Sequence, residues 1–556
     1  MRYSAVDDRN FHFRPRIRPL PACEDTRGVS IWRRKQWLRH YSEASPARSG
    51  CRIDDSHASP VHTFVNQKPL QPVRPDSCRA DPQTSSAWVQ VIVLSLKELF
   101  SVDMTREGSV AILGGGIIGL SIAYYLSQDP QYNGRIVIVD SADRLLESAS
   151  GYAGGFLARD WFAEKAAALG NLSFNMHRDL AREHDGHKRW GYQGSHVYSL
   201  SLEDAPAGVR GEDWLLAGTS RAQSASRRSV GHVNGPGEAT NADGTPAWIT
   251  PQKGATWNPI ASIDDCGQVE PRKLCEFLLE KCKSRGVQFQ LGYRAKEIRY
   301  GQLGKASNLL FETVKDGKTS ELLCSDVVVA AGCWTPRVWQ QLFPSSPVKI
   351  EIDALAGHSV LYRTPRYTKP FINVSGSEST KDATMSYAIY CPPTKEWNYS
   401  PEAYARLGPN GKPEIWIGGL NNTSAELPLP ELATDAKKLM KPERLKELRT
   451  AAVTLSGLKQ AGSASVVDDL EAVSEGLCFR PVSKTGVPIL QQIPHRALGK
   501  KGQSPGARVW VASGHGPWGI SMSLGSGLVM SQLIQGRKPS VDISALQVDI
   551  PEISRL

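Results

Sequence analysis

Hydrophobic positions follow two regimes along the chain, and the change comes close to residue 104. Before it, Arg14-Pro15-Arg16-Ile17-Arg18-Pro19 and Arg33-Arg34-Lys35 stand among Pro, Ser and Asp, with apolar residues at neither the helical nor the strand period. Residues 1–103 therefore read as a disordered or non-native extension. From Ser109 the pattern sharpens. Ser109-Val110-Ala111-Ile112-Leu113 is a short apolar run that stops at Gly114, as a buried parallel strand does. Ile117 to Ser127 carries apolar residues at helical spacing, and Arg135 to Asp140 is a second strand, so the segment predicts a βαβ unit.

Further along, Glu270-Pro271 opens a helix that should run to Ser284, with Gly286 as its stop. Phe311–Val314 and Glu321–Cys324 predict a strand pair around a Lys-Asp-Gly-Lys turn. Residues 348–420 alternate strands and turns, which predicts an antiparallel sheet. A long charged helix is expected over Ala433–Leu455, with a solvated face through Lys437, Lys438 and Lys446. Val509–Ala512 reads as a buried strand and Ile520–Gln535 as a helix, while 203–247 is a polar insertion.

Composition narrows the class. Hydrophobic residues make up 40% of the 556, enough for a sizeable core, and the 22% charged residues are ordinary for a globular protein. The net charge of +10 suggests nucleic acid until it is divided. Residues 1–103 hold 16 Lys and Arg against 11 Asp and Glu, and the longer remainder holds 50 against 45. No basic cluster interleaved with aromatics occurs there, which argues against a nucleic-acid partner. No apolar run is long enough for a membrane span. The ten cysteines lack CxxC spacing, which favours a reducing compartment. Asp7, Asp8, Glu24 and Asp25 spoil a mitochondrial leader pattern. His177, His184 and His187 share a helical stretch without a partnering carboxylate pattern, so a solvated face is expected rather than a metal site.

The first chemistry-bearing motif is Gly114-Gly115-Gly116-Ile117-Ile118-Gly119, a GxGxxG at the join of strand and helix. Gly114 permits the tight turn, Gly116 the close approach of a pyrophosphate, and Gly119 the packing of helix on strand. Asp140, at the end of the second strand, can accept hydrogen bonds from a ribose diol. This pattern predicts a dinucleotide but does not separate FAD from NAD.

Four later blocks supply a family resemblance. Ser148-Ala149-Ser150-Gly151-Tyr152-Ala153-Gly154-Gly155, the strand and turn Cys324–Trp334, the segment Gly476–Leu490 and the loop Gly514-His515-Gly516-Pro517-Trp518-Gly519-Ile520 follow in order. Together with the βαβ unit they resemble the D-amino-acid oxidase, glycine oxidase and sarcosine oxidase superfamily, and within it fungal oxidoreductases of unassigned substrate. The resemblance implies FAD as cofactor, held by Gly114, Gly116, Ile117, Ile118, Gly119, Asp140, Ser141, Ser150, Ala153, Gly154, Gly155, Ala331 and Gly332. Gly514, His515, Gly516, Trp518, Gly519 and Ile520 would close over the flavin, offering backbone N–H groups where charge develops on reduction. Arg480 matches the arginine that grips the substrate carboxylate in glycine oxidase-like members, although Ser483-Lys484-Thr485 departs from the usual run after it. Cys478 stands where the covalently flavinylated members carry their flavin-linked cysteine; the alternative is a buried, unreactive thiol.

The fold implied is α/β: a three-layer FAD-binding domain with an antiparallel-sheet substrate domain. FAD-binding pieces are expected at 104–190, 256–345 and 471–545, substrate pieces at 191–255 and 346–470, and a tail at 546–556. The activity implied is oxidation of the C–N bond of an amino acid or secondary amine by hydride transfer to flavin N5, with oxygen or another molecule as electron acceptor. The alternatives are a flavin dehydrogenase for another small molecule and a catalytically inactive flavin fold acting in trafficking. The terminal Ser554-Arg555-Leu556 is a variant of a peroxisomal address, so a peroxisomal location is expected, with the cytoplasm as the alternative.

Overall fold

In the computed structural model, residues 109–202, 241, 245–299, 307–368, 371–372, 384–395, 397–408, 410–459, 465–499 and 506–551 are described. The expectations for residues 1–103, for most of the 203–247 insertion and for Ser554-Arg555-Leu556 lie outside them.

A run of four apolar residues with no polar alternation must be covered on both faces. Val110–Leu113 is such a run, and it lies inside a six-stranded sheet. The spatial order is Ile489–Ile493, Arg508–Ser513, Asp326–Val329, Val110–Leu113, Ile136–Asp140 and Gln288–Leu291. All neighbours are parallel except the first pair. Side chains alternate across the strand. Val110 and Ile112 enter one core with Leu120, Leu274, Leu278 and Leu524, from the helices Ile117–Gln128, Pro271–Ser284 and Gly519–Ile534. Ala111 and Leu113 enter another with Ile298, Leu309, Phe311 and Trp339. That second core lies under a three-stranded antiparallel sheet and the helix Thr335–Leu342. The result is three layers.

A second sheet has eleven strands among the described residues, and its centre runs Ile352–Arg363, Pro413–Gly418, Glu402–Leu407, Thr384–Tyr390 and Gln193–Ser201. It is antiparallel apart from the pairing of Thr384–Tyr390 with Gln193–Ser201. Its membership corrects the expected boundaries. Glu471–Ser483 pairs along Ile352–Arg363 from end to end, so these residues belong to this sheet rather than to the third FAD-binding piece. Phe156–Ala158, Thr256–Ala261 and Cys266–Gln268 join it too. The reason is backbone satisfaction: a thirteen-residue strand must find ladder partners, whatever domain its side chains serve.

Two further expectations are corrected. The charged helix over Ala433–Leu455 is broken into a 3-10 turn, Ala433–Leu439, and a helix, Pro442–Ser456. Pro442 lacks an N–H and forces Lys441 into an extended conformation (φ −101°, ψ 116°), which interrupts the ladder. His177 is not on a solvated face. It lies in the buried stripe of the helix Glu164–Glu183 with Leu169, Phe174 and Leu180, 1% exposed. Its Nε2 sits 3.0 Å from the carbonyl oxygen of Ile520, and burial lowers its pKa to about 4. His184 is half-buried, and only His187 is exposed, against Asp185. Among the described residues, no helix is long and apolar enough to cross a membrane.

Candidate functional site

The cleft begins where the strand Val110–Leu113 ends. Gly114 has φ +116°, and a Cβ there would lie 2.5 Å from the carbonyl oxygen of Ala330, so any side chain is excluded. Gly116 is the N-cap of the helix that follows, whose first-turn N–H groups have no acceptor within the helix. A side chain on Gly119 would overlap the Gly114 carbonyl. The helix can therefore approach the strand only if residue 119 is bare.

Asp140 shapes this turn from the neighbouring strand. Its Oδ2 accepts the Gly115 N–H at 2.7 Å and its Oδ1 the Ala142 N–H at 2.9 Å. Burial raises the carboxyl above its ordinary value, and the two amide donors oppose that rise. Ser150 Oγ accepts the Ile117 N–H at 3.0 Å, which ties the second glycine-rich stretch to the helix start.

From there a cleft opens between the two sheets. Gly114, Gly116, Ile117, Ile118, Asp140, Ser141, Ser150, Ala153, Gly154, Gly155, Ala331, Gly332, Cys478, Arg480, His515, Gly516, Gly519 and Ile520 all line it. Three of the expected residues are not among the lining. Gly119 serves helix packing, Gly514 (φ +81°) turns the chain after Arg508–Ser513, and Trp518 is buried edge-on against Phe162 at 4.8 Å. The indole belongs to the core, because the 3-10 turn Gly516–Trp518 points it inward.

His515 is 3% exposed, and its Nε2 lies 2.9 Å from Ser526 Oγ. Burial lowers its pKa to about 3, so the ring is neutral at physiological pH. Cys478 is buried at the cleft wall, and the nearby Cys333 donates to the Phe479 carbonyl at 3.1 Å. Burial raises the Cys333 thiol well above its ordinary value.

The second sheet furnishes the opposite wall. Arg480 projects from Glu471–Ser483, and its Nη2 donates to Asn421 Oδ1 at 2.6 Å. Among the described residues no carboxylate pairs with it. Phe156, Tyr404 and Trp416 also line the cleft, with Tyr404 stacked on Trp416 at 5.2 Å and on Phe156 at 5.6 Å. The Tyr404 hydroxyl donates to the buried carboxylate of Glu402 and lies 3.0 Å from the hydroxyl of Tyr390. At the mouth, Glu431 pairs with Arg294 at 3.0 Å, and Arg337 donates to the carbonyls of Leu429 and Pro430 at 2.8 Å.

Sequence reasoning missed Asn421, Gly357 and the aromatic wall. A lone glycine inside the run Leu355-Ala356-Gly357-His358-Ser359-Val360 is a sign of close approach that could have marked Gly357. Nothing local marks Asn421.

The cradle fits a dinucleotide cofactor: glycines sit where a Cβ would collide, and a helix N-terminus opens beside a carboxylate at a strand end. The profile of the family described as FAD dependent oxidoreductase matches residues 109–533. The chain belongs to this family. It is thus an FAD-dependent oxidoreductase with an α/β, dinucleotide-binding fold, and FAD is its cofactor. A Schizosaccharomyces pombe relative named "Putative oxidoreductase C1F5.03c" is 26% identical over 463 residues, covering 80% of this chain and 98% of the relative. D-amino acid dehydrogenase of Cereibacter sphaeroides is 26% identical over 283 residues, 50% of this chain and 49% of that protein. The crystal structure of glycine oxidase from Geobacillus kaustophilus shares the fold at 19% identity with a TM-score of 0.53, over 80% of this chain and 99% of the oxidase.

Proposed function

We propose that this FAD-dependent oxidoreductase oxidises the C–N bond of an amine that carries a carboxylate, an amino acid or a secondary amine derived from one. One observation carries the reading. Arg480 lines the same cleft as the glycine cradle, and among the described residues it has an amide partner but no carboxylate. A guanidinium kept without a counter-charge in a cleft is a ready anchor for an anion, and its planar fork matches a carboxylate.

The neighbouring residues supply the rest. Arg480 would hold the carboxylate, which fixes the adjacent carbon relative to the cofactor. Phe156, Tyr404 and Trp416 form an apolar wall that keeps water from the reacting bond. Neutral His515, held by Ser526, has no charge to repel the amine and does not act as a base at pH 7. FAD, held by the glycine cradle, would supply the two-electron acceptor for the hydride that leaves the carbon next to nitrogen. The relatives named D-amino acid dehydrogenase favour a D-amino acid and an acceptor other than oxygen as the second form of this reading.

Anaerobic mixing with amino acids and secondary amines tests it. One of them should bleach the flavin absorbance, and readmitted oxygen should then release peroxide. Bleaching without peroxide selects the dehydrogenase form. A flavin that none of them bleaches would overturn the proposal.

A further inference from the structure

Arg480 reaches its partner across an intervening strand. Ile352–Arg363 lies between Asn421–Asn422 on one side and Glu471–Ser483 on the other. Gly357 is opposite Asn421 in the first register and opposite Cys478 in the second, while Arg480 itself stands opposite Leu355. The arginine side chain therefore runs two positions along the sheet, over Gly357, before Nη2 meets Asn421 Oδ1.

Gly357 is not among the residues with positive φ, so its backbone conformation is open to any residue. The space is not. A Cβ at 357 would overlap Arg480 Nη2 and lie 3.3 Å from Asn421 Oδ1. The glycine is needed because a guanidinium passes over it. Asn421 is equally specific in kind: an amide oxygen accepts one N–H and cancels no charge, whereas a carboxylate there would pair with the guanidinium and neutralise it.

We infer that Asn421 is a positioning residue for substrate recognition. Across the bare Gly357 it fixes one nitrogen of Arg480 and leaves the full positive charge, with Nε and Nη1, for an incoming carboxylate. Residue 421 thereby sets the preference for amines that bear a carboxylate over those that do not. The inference rests on the reading that Arg480 is the carboxylate anchor.

The test uses the full-length holoprotein and two flat probes that cannot be oxidised, benzoate and the uncharged benzamide, titrated against the flavin's visible spectrum. Native protein should favour benzoate. Asn421→Ala, which loosens the arginine but keeps its charge, should lower the benzoate-to-benzamide preference about threefold to tenfold. Asn421→Asp has the same shape and should lower it by roughly tenfold or more, close to Arg480→Met. Flavin content and melting temperature confirm that each variant is folded, and a purely structural role for Asn421 would not separate Ala from Asp in this ratio. If Asn421→Asp keeps the native preference while Arg480→Met loses it, the inference is overturned and the anchor stands. If Arg480→Met keeps the native preference, or native protein shows none, the anchor itself has failed and the inference goes with it.

Discussion

The two walls of the cleft are built on opposite principles. The cradle wall is made of backbone: Gly114, Gly116 and Gly119 contribute the absence of side chains, and Asp140 and Ser150 spend their oxygens on the amides of Gly115 and Ile117. The substrate wall is made of side chains, with Arg480, Tyr404 and Trp416 projecting from strands and held by other side chains. A backbone site recognises a group common to many cofactors, and a single Cβ ruins it. A side-chain site can be retuned one residue at a time without loss of the fold. Substitutions should therefore be all-or-none on the first wall and graded on the second.

The largest effect should come from Gly119→Val. Its Cβ would overlap the Gly114 carbonyl, and relief requires moving the helix off the strand, at a cost of about 3 kcal/mol or more. The purified variant should be colourless or insoluble; a yellow, stable Gly119→Val would break the contrast. Next is Arg480→Met, which should raise KM for a carboxylate-bearing substrate by about 2–5 kcal/mol in free-energy terms, with little change for an uncharged amine. Equal losses for both would make Arg480 structural. Gly357→Ala should be milder, because the guanidinium can swing aside: roughly tenfold weaker carboxylate binding with native flavin content. A variant that also lost its flavin would show that the walls are not separable.

A last effect, linked to pH, crosses both walls. His177 and His515 behind the cradle, and His196 and His358 in the second sheet, are buried, and their pKa values are lowered to between about 3 and about 4. In the unfolded chain each takes a proton near pH 6.5, while in the fold each stays neutral until about pH 4. Between those values the unfolded state binds more protons, so stability falls as pH falls, by about 1.4 kcal/mol per pH unit for each histidine. The melting temperature should drop steadily from pH 6.5 to 4.5, and His515→Asn should flatten the slope by one proton's share. A melting temperature independent of pH in this window would contradict these burials.

The same contrast explains what could be read along the chain. Gly114 to Gly119 and Asp140 lie within a short stretch, and their roles follow from one strand–turn–helix–strand unit; Ser150 is legible only through the resemblance. Local punctuation gave the βαβ unit, and the three-layer fold came from the resemblance. Asn421 acts on Arg480 only because three strands set Gly357 between them, and no pattern within any one strand encodes that register. The resemblance puts Trp518 over the flavin with the rest of its loop, but a 3-10 turn sends its indole into the core instead. The helix Glu164–Glu183 is mixed in composition, so the position of His177 reads as solvated; which face is covered depends on the distant helix Gly519–Ile534.

The order of the parallel sheet also bears on how the protein is made. Val110–Leu113 emerges first from the ribosome, but its neighbour Asp326–Val329 comes far later, and the strand beside that, Arg508–Ser513, later still. Until then the nascent chain exposes an apolar strand edge with unpaired amides, the kind of surface that chaperones bind and that aggregates when they do not. Long-range pairing of this sort also slows folding. Flavin uptake should accordingly trail synthesis, since the loop Gly514–Ile520 follows the last parallel strand, and a chain released early would carry the glycine turn yet stay colourless.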